Sequence, residues 1–118
     1  MKAWICAVGS EMLTPFRLDT NSLAITERLN TIGCDVRLKV VVGDDLDELC
    51  ALFRRGIGAV DVIVCTGGLG PTADDIPRDA LARAFDLPVD IEEGIVSRIR
   101  ARFERRGMAM RDINRRQA

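Results

Sequence analysis

The sequence predicts an α/β fold with a parallel sheet and helices on both of its faces. Two observations support this prediction. Short apolar segments alternate along the chain with segments of helical periodicity, and one apolar segment, VDVIVC, has the composition of a strand covered on both faces. Strands joined through helices form right-handed crossovers, which place the strands parallel to one another.

The apolar segments give three predicted strands, at residues 2–8, 35–42 and 60–65. The first ends at Gly9, the second is rich in β-branched residues and ends at Gly43, and the third is predicted to be a central strand. Three strands make a thin sheet for this architecture. We therefore expect an incomplete domain, residues 1–118, with further strands of the sheet after Ala118.

Four helices are predicted, at about residues 20–32, 45–57, 77–86 and 91–106. The first three follow side chains that can cap a helix start: Asp19 or Thr20, Asp44 or Asp45, and Asp74 or Asp75. Pro77 suits the first position of the third helix. The stretch from Ser10 to Thr20 is predicted to be a loop, and the tail after Gly107 is the candidate linker.

Composition limits the classes of function. The 17 basic and 18 acidic residues give a net charge of −1, which argues against a nucleic-acid partner bound through overall positive charge. No apolar run approaches a membrane span and the N-terminus does not resemble a signal peptide, so we expect a cytoplasmic protein without a membrane partner. The arginine-rich segment at residues 98–116 is either a solvated surface or an anion-binding patch.

The chain has no histidine, which excludes Ser-His and Cys-His nucleophile systems and removes the commonest zinc ligand. Its four cysteines form no CxxC pair and are predicted to be reduced core residues: Cys6, Cys34, Cys50 and Cys65. Acid-base chemistry must therefore fall to carboxylates, lysine, cysteine or ordered water.

The loop TGGLGPT, which follows the third predicted strand, is the main candidate for ligand binding. Loops at the carboxyl ends of parallel strands converge, and ligands bind there. The glycines let backbone N–H groups approach a phosphate, and the following helix adds the positive end of its dipole. The predicted phosphate-binding residues are Thr66, Gly67, Gly68, Leu69, Gly70, Pro71 and Thr72. The loop is neither a Walker loop nor a GxGxxG motif, and a tight crossover turn is the alternative.

Carboxylates beside this loop predict a divalent cation, because Asp74 and Asp75 would otherwise repel a phosphate. Glu11 and Asp44 are expected at the same edge of the sheet. We assign catalytic roles to Asp75, Asp74 and Glu11, and Mg²⁺ coordination to Asp44 and Asp75; helix capping or simple surface exposure is the alternative for each.

The first loop and the first helix supply further candidates. Ser10 is a possible hydroxyl donor to phosphate, as is Thr66. Asp19 and Asn21 flank the helix start, where contact with a ligand and local capping are equally plausible.

The ordered elements AVGSEML, DTN, VVGDD, TGGLGPTADD and NRRQA resemble the N-terminal domain of the competence/damage-inducible protein family CinA, over essentially the whole chain. The resemblance implies a three-layer α/β sandwich of the type found in molybdopterin-binding (MoaB/Mog-like) domains. It also implies a pocket that includes Gly9 with the candidates above. Two places depart from the family pattern, Thr14-Pro15 and Ile76-Pro77.

For this domain the resemblance implies a hydrolase, a metal-dependent ADP-ribose pyrophosphatase. The C-terminal deamidase domain of many family members has no counterpart in this sequence, so its activity is not carried over. The alternatives are transfer or insertion chemistry on a phosphorylated pterin, and a molybdopterin or nucleotide binding module without turnover. The expected partner is a nucleotide-like or pterin phosphate, and we expect a homo-oligomer.

Overall fold

The computed structural model describes residues 1–118. The strands are β1 (Lys2–Val8), β2 (Asp35–Val42) and β3 (Val62–Thr66). The α-helices are α1 (Thr20–Thr31), α2 (Leu46–Gly56), α3 (Pro77–Phe85) and α4 (Glu93–Arg105), and short 3-10 helices form at Ser10–Leu13 and Asp112–Gln117. The sequence-based α/β prediction is confirmed. No helix is long and apolar enough to cross a membrane.

The sheet is parallel, with strand order β2-β1-β3. β1 pairs with both neighbours and is buried from Ala3 to Val8. Among the three strands of this chain β3 pairs only with β1, so its central position in a larger sheet stays a prediction. On the side away from β1, apolar residues of β3 line a cavity of about 550 Å³.

The helices pack on both faces of the sheet. Trp4, Cys6 and Val8 of β1 share a core with α2 and α3. Because side chains alternate across a strand, Ala3, Ile5 and Ala7 point to the other face, where α1 contacts β1 and β2. Helices on opposite faces of one sheet give the three layers that the family resemblance implied.

The starts of the helices agree only in part with prediction. Asp19 caps α1 by accepting from the Ser22 N–H at 2.9 Å, and Asp45 caps α2 by accepting from the Glu48 N–H at 2.9 Å. The capping prediction for α3 is wrong. Its N-cap is Ile76, with no side-chain hydrogen bond, because Asp75 binds within the preceding loop.

Two segments predicted to lack regular structure are ordered as 3-10 helices. One, Ser10–Leu13, lies within the predicted loop after β1. The other, Asp112–Gln117, lies in the tail that was predicted to be a linker, and that prediction is wrong. The tail is fixed because the Gln117 amide donates to the Leu69 carbonyl at 3.3 Å and Arg115 forms an ion pair with Glu93.

Candidate functional site

The carboxyl ends of the three strands bring three loops together, as predicted. We call them the first loop (residues 9–19), the second loop (residues 43–45) and the glycine-rich loop (residues 67–76). The Asp44 N–H donates to Ser10 Oγ at 2.9 Å, and the Ser10 N–H donates to Asp44 Oδ2 at 3.3 Å. The Asn21 amide, at the start of α1, donates to Thr66 Oγ1 at 3.2 Å.

The glycine-rich loop passes through a space that only glycine can occupy. Gly67 and Gly68 have φ angles of 89° and 61°, in the region that side chains disfavour. A Cβ on Gly67 would lie 2.2 Å from the Val8 carbonyl oxygen, and one on Gly68 would lie 2.7 Å from Pro77 Cδ. The backbone is therefore held closely between the end of β1 and the start of α3.

Three consecutive N–H groups of this loop have no acceptor within the chain. The N–H groups of Gly67, Gly68 and Leu69 donate no backbone or side-chain hydrogen bond. Backbone N–H groups normally find partners, and successive free ones in a turn make a concavity suited to an anion. The adjacent start of α3 adds the positive end of a helix dipole.

Asp75 closes the glycine-rich loop from within. Its Oδ2 accepts from the Thr72 hydroxyl at 2.6 Å and from the Thr72 N–H at 2.8 Å. These bonds, with smaller contributions from the Gly70 N–H and the charge of Arg116, lower the pKa of the Asp75 carboxyl. The neighbouring Asp74 is exposed, and its side chain makes no hydrogen bond. The two aspartates thus have different roles in the fold.

Glu11 is placed differently from Asp75. It is exposed on the 3-10 helix of the first loop, and its carboxylate lies against Gly9, where a Cβ would come within 2.6 Å of both oxygens. No group within the chain donates a hydrogen bond to this carboxylate. Its oxygens are therefore available to a ligand or to water.

The carboxylates do not assemble into a complete metal site. No group of three or more His, Cys, Asp or Glu side chains is arranged to hold an ion. One oxygen of Asp44 and one of Asp75 are engaged by Ser10 and Thr72, which leaves the other oxygen of each carboxylate free.

A polar cavity of about 290 Å³ lies beside the first loop. Its lining contains the predicted residues Asp19 and Asn21 together with Arg17, which the sequence reading missed. Arg17 is the only basic residue between β1 and α1, and this feature of the sequence could have marked it as a candidate site residue. The larger apolar cavity lies along the outer edge of β3, so its size does not mark the predicted phosphate site.

The C-terminal 3-10 helix also contacts the site. Gln117 holds the Leu69 carbonyl, and Arg116 lies 3.5 Å from Asp79 and contributes to the lowered pKa of Asp75. Sequence patterning had left this arginine-rich segment as either a solvated surface or an anion patch. Its contact with the glycine-rich loop could not be derived from charge pattern alone.

Comparison with known proteins identifies relatives over nearly the whole chain. A family model described as a probable molybdopterin binding domain matches residues 4–117. A CinA-like protein from Solibacter usitatus is 45% identical over 118 residues, which are 100% of this chain and 28% of the relative. A putative competence-damage inducible protein from Natranaerobius thermophilus is 38% identical over 114 residues, 97% of this chain and 28% of the relative.

Solved structures share the architecture. The protein CinA from Thermoplasma acidophilum matches with a TM-score of 0.87 and 30% identity, covering 98% of this chain and 67% of that one. The molybdopterin biosynthesis enzyme MoaB from Thermus thermophilus matches with a TM-score of 0.63 and 24% identity over 85% of this chain and 62% of its own, which supports the fold alone. The chain spans about 28% of the length of the curated relatives named above. It belongs to the molybdopterin-binding domain family and corresponds to the N-terminal domain of CinA-like proteins.

Proposed function

We propose that this chain binds a phosphate-bearing nucleotide at the glycine-rich loop and, with a divalent cation, hydrolyses its diphosphate linkage. The observation that carries the proposal is the row of free N–H groups at Gly67, Gly68 and Leu69, at the sheet edge where the other two loops also contain carboxylates. Free donors and free carboxylate oxygens at one sheet edge suit an anion that arrives with a cation.

Binding begins with the backbone. The N–H groups of the glycine-rich loop donate to phosphate oxygens, and the start of α3 favours negative charge at the same place. The Asn21 amide holds Thr66, the residue from which the loop departs, and so fixes where the loop begins. Arg17, in the adjacent polar cavity, supplies the positive charge for the distal part of the ligand.

The free oxygens of Asp44 and Asp75 would hold a Mg²⁺ that also binds the phosphate. When bound, the ion neutralises charge that develops on the phosphate and makes a coordinated water more acidic. Without it, the carboxylates would repel the phosphate. We therefore expect nucleotide affinity to depend on the cation.

Glu11 is our candidate for the general base. It is the acidic side chain of the first loop that makes no hydrogen bond within the chain. The water oxygen attacks phosphorus, its proton passes to the Glu11 carboxylate, and the bond from phosphorus to the bridging oxygen breaks. From ADP-ribose the products are AMP and ribose phosphate. Asp74, exposed beside Asp75, assists by adding negative charge that attracts the cation.

A binding module without turnover is the second candidate. Two observations favour it: Asp75 is engaged in closing its own loop, and no three side chains form a metal cluster. The ligand would then be a nucleotide or a phosphorylated pterin such as molybdopterin, since the matching family model is described as molybdopterin binding. Both ligand classes present a phosphate to the same loop.

Incubation of the purified chain with ADP-ribose, with and without Mg²⁺, separates the candidates. Release of AMP that requires Mg²⁺ and is lost in Glu11→Gln supports hydrolysis. The matched control is Glu104→Gln, which removes an exposed carboxylate from α4 and should leave the rate unchanged. Ligand-dependent thermal stabilisation without products supports the binding module. If neither AMP release nor stabilisation is seen, both candidates are contradicted.

A further inference from the structure

Two cysteines lie side by side on neighbouring strands. Cys6 of β1 and Cys65 of β3 are direct register partners, and both belong to the side of the sheet that packs on α2 and α3. Partners in adjacent strands lie about 5 Å apart, within the range of Cα separations that disulfides span. Both side chains leave the sheet on that face, as neighbours on paired strands. A disulfide between them would therefore join two strands that are already paired.

The two thiols differ in access and in acidity. Cys6 is fully buried, whereas Cys65 is half-buried and lines the cavity along the outer edge of β3. The hydrogen bond from Cys6, together with the Thr66 N–H, lowers the pKa of Cys65, and the same pairing and burial raise the pKa of Cys6. Because the thiolate is the reactive form, Cys65 is the thiol that meets an oxidant first.

We propose that Cys6 and Cys65 form a reversible dithiol–disulfide site that hydrogen peroxide or an organic hydroperoxide closes. The Cys65 thiolate attacks one peroxide oxygen, the O–O bond breaks, and hydroxide or alkoxide leaves, so Cys65 becomes a sulfenic acid. Cys6 then loses its proton and attacks the Cys65 sulfur, and the sulfenic hydroxyl leaves as water. The two thiols lose two electrons, and the peroxide is reduced to water, or to water and an alcohol. A dithiol reductant reverses the step.

The site is connected to the glycine-rich loop. Cys65 directly precedes Thr66, whose hydroxyl accepts from the Asn21 amide at 3.2 Å. Disulfide formation would draw Cys65 toward Cys6 and so shift the backbone at Thr66, where the glycine-rich loop leaves β3. Oxidation should therefore weaken phosphate binding at the loop, a consequence that rests on the function proposed above.

The test is peptide mapping by mass spectrometry of the reduced full-length chain after hydrogen peroxide and alkylation of the remaining thiols. We expect two thiols to be lost, one cross-linked pair joining Cys6 to Cys65, and recovery with dithiothreitol. Cys34→Ser and Cys50→Ser, which alter the other buried cysteines, are the matched controls and should leave the cross-link unchanged. Cys6→Ser should instead accumulate a sulfenic acid at Cys65 that dimedone traps.

A cross-link that involves another cysteine or another molecule, over-oxidation of Cys65 while Cys6 stays a thiol, or absence of oxidation overturns the proposal. The wild-type map decides this even if a variant does not fold. ADP-ribose titration of the reduced and oxidised forms then tests the coupling, with several-fold weaker binding expected after oxidation. Equal affinities overturn the coupling, whereas no binding by either form contradicts the proposed function and leaves the disulfide result standing.

Discussion

The first loop and the glycine-rich loop both follow a strand of the same sheet, but they are fastened in different ways. The first loop is held by another loop, through the reciprocal hydrogen bonds of Ser10 and Asp44. The glycine-rich loop is held by its own Asp75, which accepts from Thr72 three residues earlier. In each loop a glycine lies against a carboxylate: Gly9 against Glu11 and Gly70 against Asp75.

This difference separates a structural carboxylate from a free one. In the glycine-rich loop the carboxylate is used by the fold, and the N–H groups of Gly67, Gly68 and Leu69 remain free. In the first loop the Ser10 N–H is used, and the Glu11 carboxylate remains free. One loop therefore leaves N–H donors free and the other leaves a carboxylate free, although both contain a glycine and an acidic residue.

Gly67→Ala should produce the largest change, because it affects the glycine-rich loop at its narrowest point. The new Cβ would lie 2.2 Å from the Val8 carbonyl oxygen at a φ of 89°. The left-handed backbone and the clash together should lower the free energy of unfolding by about 3 kcal/mol. Urea denaturation measures this change, and any phosphate-dependent stabilisation should disappear with it.

Gly58→Ala is the matched control for this substitution. Gly58 has a similar φ of 76°, but a Cβ there would meet nothing within 4 Å. Only the cost of the left-handed conformation should remain, about 1 kcal/mol. Equal losses in the two variants would show that the glycine-rich loop can shift away from β1, which would contradict a tightly held backbone.

The comparison of the loops also shows what sequence could and could not predict. Apolar strands and alternating helices follow local rules, and these features were predicted correctly. The loops meet because carboxyl ends of parallel strands share an edge, which is a rule of topology. Ser10 therefore contacts Asp44, and Asn21 contacts Thr66, at the sheet edge where the loops were predicted to converge.

The predictions that failed required a choice between residues that look equivalent in the local sequence. Asp74 and Asp75 are adjacent and both precede a helix, yet neither caps α3, because Thr72 offers Asp75 two donors within the loop. The docking of Gln117 on Leu69 depends on packing between segments far apart in sequence. Composition and periodicity carry no information about such contacts. The roles of Glu11, Asp44 and the predicted cation remain predictions.

Asp75→Asn should produce the next largest effect. The amide can still accept from Thr72, but the charge that strengthens both hydrogen bonds is lost. We expect the free energy of unfolding to fall by about 1 kcal/mol, at the low end for a charged acceptor because the site is partly solvated. Asp74→Asn is the control, with no hydrogen bond to lose and no measurable change expected. Equal unfolding midpoints for the two variants would contradict the fastening role of Asp75.

The same carboxylate predicts a pH dependence. The Thr72 hydroxyl, first among its partners, lowers the pKa of Asp75 in the folded chain below its value in the unfolded chain. A depressed native pKa stabilises the fold above the unfolded value of about 4, and the stabilisation is lost as pH falls through the native value. The stability difference between wild type and Asp75→Asn should therefore be constant at neutral pH and shrink below about pH 4. Thr72→Val should reduce this pH dependence. If the stability difference between wild type and Asp75→Asn instead grows on acidification, the predicted lowering of the Asp75 pKa is contradicted.

Ser10→Ala should have the smallest effect, because it removes one of two hydrogen bonds at an exposed fastening. The Asp44 N–H loses its acceptor but can turn to water, so we expect a loss of about 0.5 kcal/mol in unfolding free energy. Ser97→Ala on α4 is the matched control, because that hydroxyl bonds only within its own helix and alanine is the better helix former. Its stability should stay equal or rise slightly. If both variants behave alike, the hydrogen bond between the two loops contributes nothing measurable to stability. The first loop is then held in place by the packing of Leu13 against Gly43. A Cβ on Gly43 would lie 3.1 Å from Leu13 Cδ1.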